Sequence, residues 1–321
     1  MKLLMENLTM LTPLKNPVVF ELVGFYVPPG SGPLFFCMAL IAYLLTLLAN
    51  GVVAGVILID KSLHRPMFIM ICHLVVCNVL GATTMLPCLM VHFLTGQRKV
   101  SHAIAIIQAL CLHTYGAAMQ TILAVMAYDR YVAVCNPLRY ATIMTSTRLH
   151  ICCSLAWIVS LLVISVLFFF HINIQLCGKI IQDVYSSNRG ILGLACIPTP
   201  INNIYGLTLT WTLSTSVFLI IAFSYMRILR AGIKRDKRGF TVNTKPLRTC
   251  ATHLVVYLFY RIAALIIIVS LRFPSLSPNV KKFCSILFIV VPPAINPVIY
   301  GLISKELRAS IIKQLSTRGH K

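Results

Sequence analysis

The stretch LFFCMALIAYLLTLLANGVVAGVILI, residues 34–59, contains no charged side chain. A helix needs about 20 apolar residues to cross the hydrocarbon core of a bilayer, so this stretch predicts a membrane-spanning helix. Six more apolar stretches follow it, and Arg261 interrupts the last but one. They cover residues 67–96, 102–128, 149–176, 201–226, 249–260 with 262–271, and 283–303. The chain is therefore predicted to be an all-α membrane protein, a seven-transmembrane helix bundle.

The segments outside these spans are short. We expect an extracellular N-terminal arm at 1–33, the seven-span domain at 34–303, and a cytoplasmic helix and tail at 304–321. In the tail, Leu307, Ile311, Ile312 and Leu315 recur at helical spacing with basic residues between them. This pattern predicts a short amphipathic helix that contacts membrane lipid, with a disordered tail as the alternative.

The net charge is +21, which by itself would suggest a nucleic-acid partner. The placement of the charge argues against that partner. With the N-terminus outside, the inner segments hold about twice as many Lys and Arg residues as the outer ones. This bias sets the topology of a multi-pass protein, and the basic segments suit anionic lipid.

Two features mark the predicted outer side. Most of the 12 cysteines lie in apolar spans, but Cys177 and Cys196 flank a polar outer segment, where an oxidising environment favours a disulfide. Asn7 begins the one Asn-x-Ser/Thr sequon and is a candidate glycosylation site in the arm.

The most specific motif follows the third span and reads MAYDRYVAVCNPLRY (126–140). LHRPMF (63–68), KPLRTCATHLVVYLFY (245–260) and PPAINPVIYG (292–301) occupy matching places around it. Together they resemble the vertebrate odorant receptor family of rhodopsin-like G-protein-coupled receptors. NNIYGL (202–207) is similar to the class associated with water-soluble odorants. The resemblance implies a plasma-membrane receptor that takes a small-molecule odorant and activates a heterotrimeric G protein of the stimulatory olfactory type, raising cyclic AMP.

Several residues of these motifs have chemistry suited to a switch. Asp129 can hold Arg130 until a partner takes it, and a charge at that depth is costly unless it is paired. Pro297 removes a backbone donor and permits a bend. A topology-fixing charge pair and an ordinary proline kink are the simpler alternatives. By resemblance the coupling and switch residues are Asp129, Arg130, Tyr131, Tyr225, Asn296, Pro297 and Tyr300.

The resemblance also places a ligand pocket between spans three, five and six. The implied positions are mostly small or apolar, as in many ligand sites. They are Ala109, Leu112, His113, Gly116, Ala117, Thr208, Tyr260, Ala263, Ala264, Ile267 and Arg272. His113 is either a ligand contact or a packing residue. Arg272 resembles a basic residue that some relatives place over a ligand carboxylate.

The sequence departs from the family at three places. Asn78 stands where an acid usually helps to hold sodium, so we expect weak or absent sodium sensitivity. Ala105 and Ser186 stand where relatives have the two cysteines of a disulfide. Arg261 has no acid in any apolar span, so it either receives an acidic ligand, or contacts carbonyls or water, or destabilises the fold.

Other function classes fit less well. A transporter predicts internal repeats and polar residues along a path, which the chain lacks. A membrane enzyme needs paired carboxylates, a nucleophile with its base, or clustered metal ligands within a span. The nine histidines form no ligand-spaced cluster. We therefore expect no enzymatic activity, no metal and no cofactor. A receptor of the same family used outside olfaction stays open.

Overall fold

The computed structural model describes residues 19–236, 257–258, 261–262, 265 and 278–318. Asn7 and most of the predicted sixth span lie outside these residues. The helices are α1 (Gly32–Ile59), α2 (Pro66–Thr95), α3 (His102–Cys135), α4 (Tyr140–Ile143), α5 (Ser146–Phe169), α6 (Asn188–Leu192), α7 (Pro200–Asp236), α8 (Pro278–Ile303) and α9 (Lys305–Arg318). Two 3₁₀ turns, Lys61–Leu63 and Pro137–Arg139, follow α1 and α3.

Length and composition make most of the long helices suitable for a membrane. In the described part of the chain, five helices qualify: α1, α2, α3, α5 and Pro200–Ile233 of α7. Helix α8 adds a shorter apolar stretch, Val290–Tyr300. About two thirds of the apolar part of α3 is buried, against less than a third in α1, so α3 is the central helix and α1 is peripheral.

Local chemistry explains where the helices begin and end. Pro66 begins α2, where its missing N–H costs nothing. Gly96 ends α2 with φ of 66°, a left-handed conformation that favours glycine. The hydroxyls of Ser101 and Thr145 accept hydrogen bonds from the first turns of α3 and α5.

A small sheet closes one end of the bundle. Strand β1 (Val19–Leu22) pairs antiparallel with β2 (Lys99–Ser101) and parallel with β3 (Ile180–Ile181). Phe20 and Ile181 are fully buried beneath it. We call this the sheet end, and the opposite end, where α3 finishes, the Arg130 end. Because β1 lies between β2 and β3, the residues just before α1 tie two loops together.

Several predicted boundaries differ from the structure. The third and fifth spans were predicted to end at 128 and 226, but α3 and α7 extend to Cys135 and Asp236. The fourth span was predicted over 149–176, but α5 ends at Phe169 and the chain then turns toward β3. A charge-free stretch marks how far a segment is apolar, not the last helical residue. The tail helix α9 extends to Arg318, three residues beyond the predicted pattern. Its Leu307 is fully buried in the core at the Arg130 end.

Candidate functional site: a loop-covered cavity and an arginine pair

At the Arg130 end, three side chains form a compact polar cluster. Arg130 donates to the carboxylate of Asp129 from Nε at 2.9 Å and from Nη2 at 2.5 Å. The Tyr140 hydroxyl donates to the other oxygen of Asp129 at 2.8 Å. Asp129 is fully buried, whereas the Arg130 side chain is 17% exposed. The acid is therefore held from both sides, and the arginine lines a small cleft beside it.

This cleft lies between α3 and α7. Its walls are Leu123, Ala127, Arg130, Ile221, Ser224, Tyr225 and Ile228. Tyr131 is half-buried and its ring lies 5.8 Å from that of Phe223 on α7. The predicted coupling residues Arg130, Tyr131 and Tyr225 are thus brought to one seam between two helices.

Three asparagines link α1, α2 and α8 in the middle of the bundle. The Asn296 side-chain amide donates to Oδ1 of Asn78 at 3.1 Å. The Asn78 side-chain amide donates in turn to Oδ1 of Asn50 at 2.9 Å. Asn50 in turn donates to the backbone carbonyl of Pro293 at 3.0 Å. All three side chains are almost fully buried. Asn78 is therefore the central link of a neutral chain in which each donor meets an acceptor.

Helix α8 carries the other predicted switch residues. It contains Pro292, Pro293 and Pro297. The Asn50 side-chain amide donates to the backbone carbonyl of Pro293 in this proline-rich stretch. Tyr300 lies one turn beyond Pro297 and is buried in the core at the Arg130 end. The structure places Asn296, Pro297 and Tyr300 on one buried helix segment.

A cavity of about 490 Å³ lies near the sheet end, between α3, α5, α7 and the loop after α5. This volume is within the usual range for small-molecule sites. Apolar side chains such as Leu112, Ile164 and Leu213 form most of the wall. Polar side chains interrupt this wall, many of them from the loop and from α7.

The predicted pocket residues divide into three groups. Leu112, His113, Gly116 and Ala117 line the cavity. Ala109 and Thr208 do not: Ala109 is fully buried in the core of the sheet end, and Thr208 is exposed on the outside of α7. Tyr260, Ala263, Ala264, Ile267 and Arg272 lie outside the described residues. The structure thus brings four of the predicted α3 residues to the cavity and leaves Ala109 and Thr208 outside its lining.

His113 illustrates how a polar residue is satisfied in this wall. Its Nδ1 lies 2.8 Å from the backbone carbonyl of Ala109, one turn earlier. Its ring meets Phe168 edge-on, with centroids 5.8 Å apart. This side chain therefore packs against α5 and also borders the cavity.

Several cavity residues were missed by sequence reasoning. Asp183 and Arg189 reach the cavity from the loop, and Gln120 and Ser214 from α3 and α7. Asp183 lies in the outer loop and was not among the predicted pocket residues. The available signal was its place between the two cysteines that fold this loop back, next to apolar Val184. Burial raises the pKa of Asp183 to about 6.

Arg261 faces this cavity. Its guanidinium donates to the Ser214 hydroxyl, which donates to the Gln120 side-chain oxygen at 3.2 Å. The Tyr257 hydroxyl donates to the backbone carbonyl of Ser214 at 3.1 Å. The charge that interrupts the sixth span is thus positioned by α3 and α7 at the cavity wall.

A disulfide and a hydrogen bond hold the loop over the cavity. The predicted Cys177–Cys196 disulfide is present, with an S–S distance of 2.07 Å. The buried Ser186 backbone N–H donates to the Gln108 side-chain oxygen at 2.9 Å. Gln108 also donates to the Thr84 carbonyl at 3.3 Å. A neutral hydrogen bond therefore attaches the loop to α3 close to the position of the missing disulfide.

The N-terminal segment is held against the same loop. Gly24 N–H donates to the Asp183 carbonyl, and the Lys282 ammonium donates to the Gly24 carbonyl at 2.7 Å. Gly24 has a φ of 61°, and a Cβ there would lie 2.6 Å from the His92 ring. Only glycine fits this crossing of three segments.

These features define a multi-pass helical membrane protein with a loop-covered cavity at one end and a buried acid–arginine pair at the other. Within the described residues there is no group of three His, Cys, Asp or Glu side chains that could hold a metal ion. The Olfactory receptor family model matches residues 36–318. The chain belongs to the olfactory receptor family of G-protein-coupled receptors.

Individual relatives cover nearly the whole chain. Olfactory receptor 52D1 of Homo sapiens is 30% identical over 93% of this chain and 94% of its own length. Olfactory receptor 2K2 of Homo sapiens is 31% identical over 92% and 93%. Olfactory receptor 2A25 of Homo sapiens is 32% identical over 93% and 96%. The predicted seven-transmembrane class is confirmed, and the chain is an odorant receptor and not an enzyme.

Proposed function

We propose that the chain binds its odorant in the 490 Å³ cavity and activates the stimulatory olfactory G protein through Arg130, raising cyclic AMP. It acts at the plasma membrane with the sheet end and the N-terminal arm outside. The observation that carries the proposal is that α3 and α7 line both the cavity and the Arg130 cleft. A ligand that moves these helices at one end changes the cleft at the other.

The geometry of α3 makes this coupling short. Gln120 borders the cavity and Leu123 borders the cleft, less than one helical turn apart. Arg130 lies ten residues beyond Gln120, about 15 Å along the axis. On α7, Ser214 and Ser224 are related in the same way. The ligand shifts the balance between two packings of this seam by its differential affinity for them.

Activation requires Arg130 to leave Asp129. Asp129 is fully buried but Arg130 is partly exposed, so the arginine can leave the acid for a group that docks at the cleft. The partner is the G protein, whose docking frees the cation and buries it in a new contact.

Helix α9 positions the tail beside this surface. Arg65 on the first inner loop pairs with Glu306 at 3.1 Å, and Ser310 donates to Asp60 at 2.6 Å. Ile312 is exposed, as are Arg308 and Lys313. This combination of an anchored face and an apolar-basic outer face suits the inner leaflet of the membrane.

The experiment measures cyclic AMP in cells that express the chain with the olfactory G protein, across a panel of water-soluble odorants. Arg130→Ala should abolish a dose-dependent rise. Lys61→Ala changes an exposed cation at the same end and should leave the response intact. A response that survives Arg130→Ala at equal surface expression would contradict the proposed coupling.

A second pair of variants tests the cavity. Gly206 borders it, and a Cβ there would make only ordinary contacts, the nearest at 3.5 Å. Gly206→Leu should fill part of the volume and raise the odorant concentration needed for half-maximal response. Gly55→Leu is the control, because a Cβ at Gly55 meets no atom within 4 Å. Equal effects of the two variants would place the ligand elsewhere.

A further inference from the structure

Arg261 lies at the deep end of the cavity. Val184, next to Asp183 in the loop, packs against Leu112 of α3. The Ser214 hydroxyl that accepts from Arg261 contacts Gln120 on α3. Gln120 lies eight residues beyond Leu112, about 12 Å further along the helix. Asp183 therefore borders the outer end of the cavity, and Arg261 borders its floor.

The positive charge at the floor has no acidic partner in the part of the chain that the structure describes. The whole chain has only seven acids, and Asp183 is the described acid that lines the cavity. A guanidinium has five N–H donors, of which the Ser214 hydroxyl takes one. An unpaired cation in an apolar bundle is costly, so a bound anion would relieve that cost.

The neighbours of Arg261 are arranged to present the charge and not to neutralise it. Ser214 is 2% exposed and donates its hydroxyl hydrogen bond to the Gln120 side-chain oxygen, so it accepts the hydrogen bond from Arg261. Tyr257 is fully buried and holds the Ser214 backbone. Among the described residues, the guanidinium is thus held by the Ser214 hydroxyl, which Gln120 and Tyr257 fix in place, and Arg261 lines the cavity wall.

We propose that Arg261, positioned by Ser214 and Gln120, forms an anion subsite that takes the carboxylate of a small acidic odorant. The apolar body of the ligand lies along Leu112, Ile164 and Leu213 above it. The inference rests on the proposed function, because it takes the cavity as the odorant site. Arg suits a carboxylate through paired N–H donors in its planar fork.

In the competing, purely structural role, Arg261 only links the sixth span to α7 through its hydrogen bond to Ser214. That role predicts no dependence of ligand binding on the charge of the ligand. The two roles are separated by the charge of the ligand and not by stability alone.

The test measures binding directly. The purified chain in nanodiscs of phosphatidylcholine is titrated with sodium hexanoate, hexan-1-ol and methyl hexanoate by ligand-observed NMR. The three probes share a similar apolar body, and one carries the charge. We expect the wild type to bind hexanoate at least tenfold more tightly than the alcohol or the ester.

The variants identify the cation. Arg261→Gln should abolish the preference for hexanoate, and Arg261→Lys should retain part of it. Arg139→Gln removes an exposed cation at the Arg130 end, away from the cavity, and is the matched control. Its preference for hexanoate should persist. Equal affinity for the acid and the alcohol in the wild type would overturn the proposal, as would a preference that persists in Arg261→Gln.

This readout is independent of signalling. Charge-selective binding with no cyclic AMP response would support the subsite and contradict the proposed G-protein output. A cyclic AMP response to neutral odorants that is unchanged by Arg261→Gln, with no selective binding of hexanoate, would support the receptor function and overturn the subsite.

Discussion

The side-chain oxygen of Gln108 accepts the backbone N–H of Ser186 at 2.9 Å, although 78 residues separate the two in sequence. Ser186 is fully buried and Gln108 is 5% exposed. Ala105, one turn before Gln108 on the same face of α3, is also fully buried. The loop over the cavity is therefore attached to α3 by the Gln108 amide, one turn from Ala105.

Gln108→Leu should lower the free energy of unfolding by about 1 to 3 kcal/mol, because it leaves the buried Ser186 N–H without an acceptor. Thermal unfolding of the purified chain measures the change. Gln97→Leu, at an exposed glutamine before β2, is the control and should have little effect. Adding Ala105→Cys with Ser186→Cys should offset the loss by forming a disulfide. Unchanged stability in Gln108→Leu would refute the role of this hydrogen bond.

The Cys177–Cys196 disulfide should contribute about 3 kcal/mol, since it closes a loop across a sequence separation of 19. Replacing both cysteines by serine should lower the unfolding temperature. Cys37→Ser, at an exposed free cysteine, should not. Peptide mapping without reductant that found both thiols free would show the bridge to be absent.

Agonist affinity should not depend on sodium. A bound cation would need an acid at this position, but the chain has Asn78. Its side-chain amide is already hydrogen-bonded to Asn50 and Asn296. Titration of sodium against potassium at constant ionic strength should give equal affinities in the wild type. Asn78→Asp should introduce a sodium dependence by adding a carboxylate. A strong sodium effect in the wild type would contradict this account.

Asn78→Leu should destabilise the bundle by about 2 kcal/mol or more, because it leaves the buried Asn50 oxygen and Asn296 amide without a partner. Unfolding of the purified variant in the same nanodiscs gives the measurement. Stability equal to that of the wild type would mean that the asparagine chain contributes nothing.

Tyr140→Phe should raise basal cyclic AMP. Burial, with the negative charge of Asp129 next, raises the pKa of the Tyr140 phenol, so the hydroxyl stays protonated and donates to Asp129. Without this donor the buried carboxylate is less stable, and Arg130 is released more easily. Tyr128→Phe, at an exposed tyrosine next to Asp129 on α3, is the matched control. Basal activity that falls or stays constant in Tyr140→Phe would refute the proposal that the Tyr140–Asp129 hydrogen bond helps to retain Arg130.

Stability should fall as pH rises between about 4 and 6. Burial raises the pKa of Asp183 from 3.8 to about 6, so the folded state favours the protonated acid. The benefit is fully present below the unfolded pKa and is lost as pH passes the folded one. The difference amounts to about 3 kcal/mol. Asp183→Asn should flatten this part of the pH profile, measured by thermal unfolding, and parallel profiles for variant and wild type would contradict the assignment.

The sequence alone determined the features that are local. Charge-free stretches of bilayer length located the spans, because a buried charge is costly anywhere along them. The motif at 126–140 identified the Asp129–Arg130 pair, since two adjacent residues need no fold to meet. The two cysteines around the outer loop were recognisable for a similar reason: few other partners were available on that side.

Tertiary structure decided which residues meet across the bundle. Nothing local in the sequence pairs Gln108 with Ser186, or brings Arg261 to Ser214, because each contact depends on the rotation of one helix against another. Thr208 shows the same limit, since an error of one residue turns a helical side chain by about 100°. Asp183 was not predicted as a cavity residue, because its burial comes from a loop that folds back over the cavity.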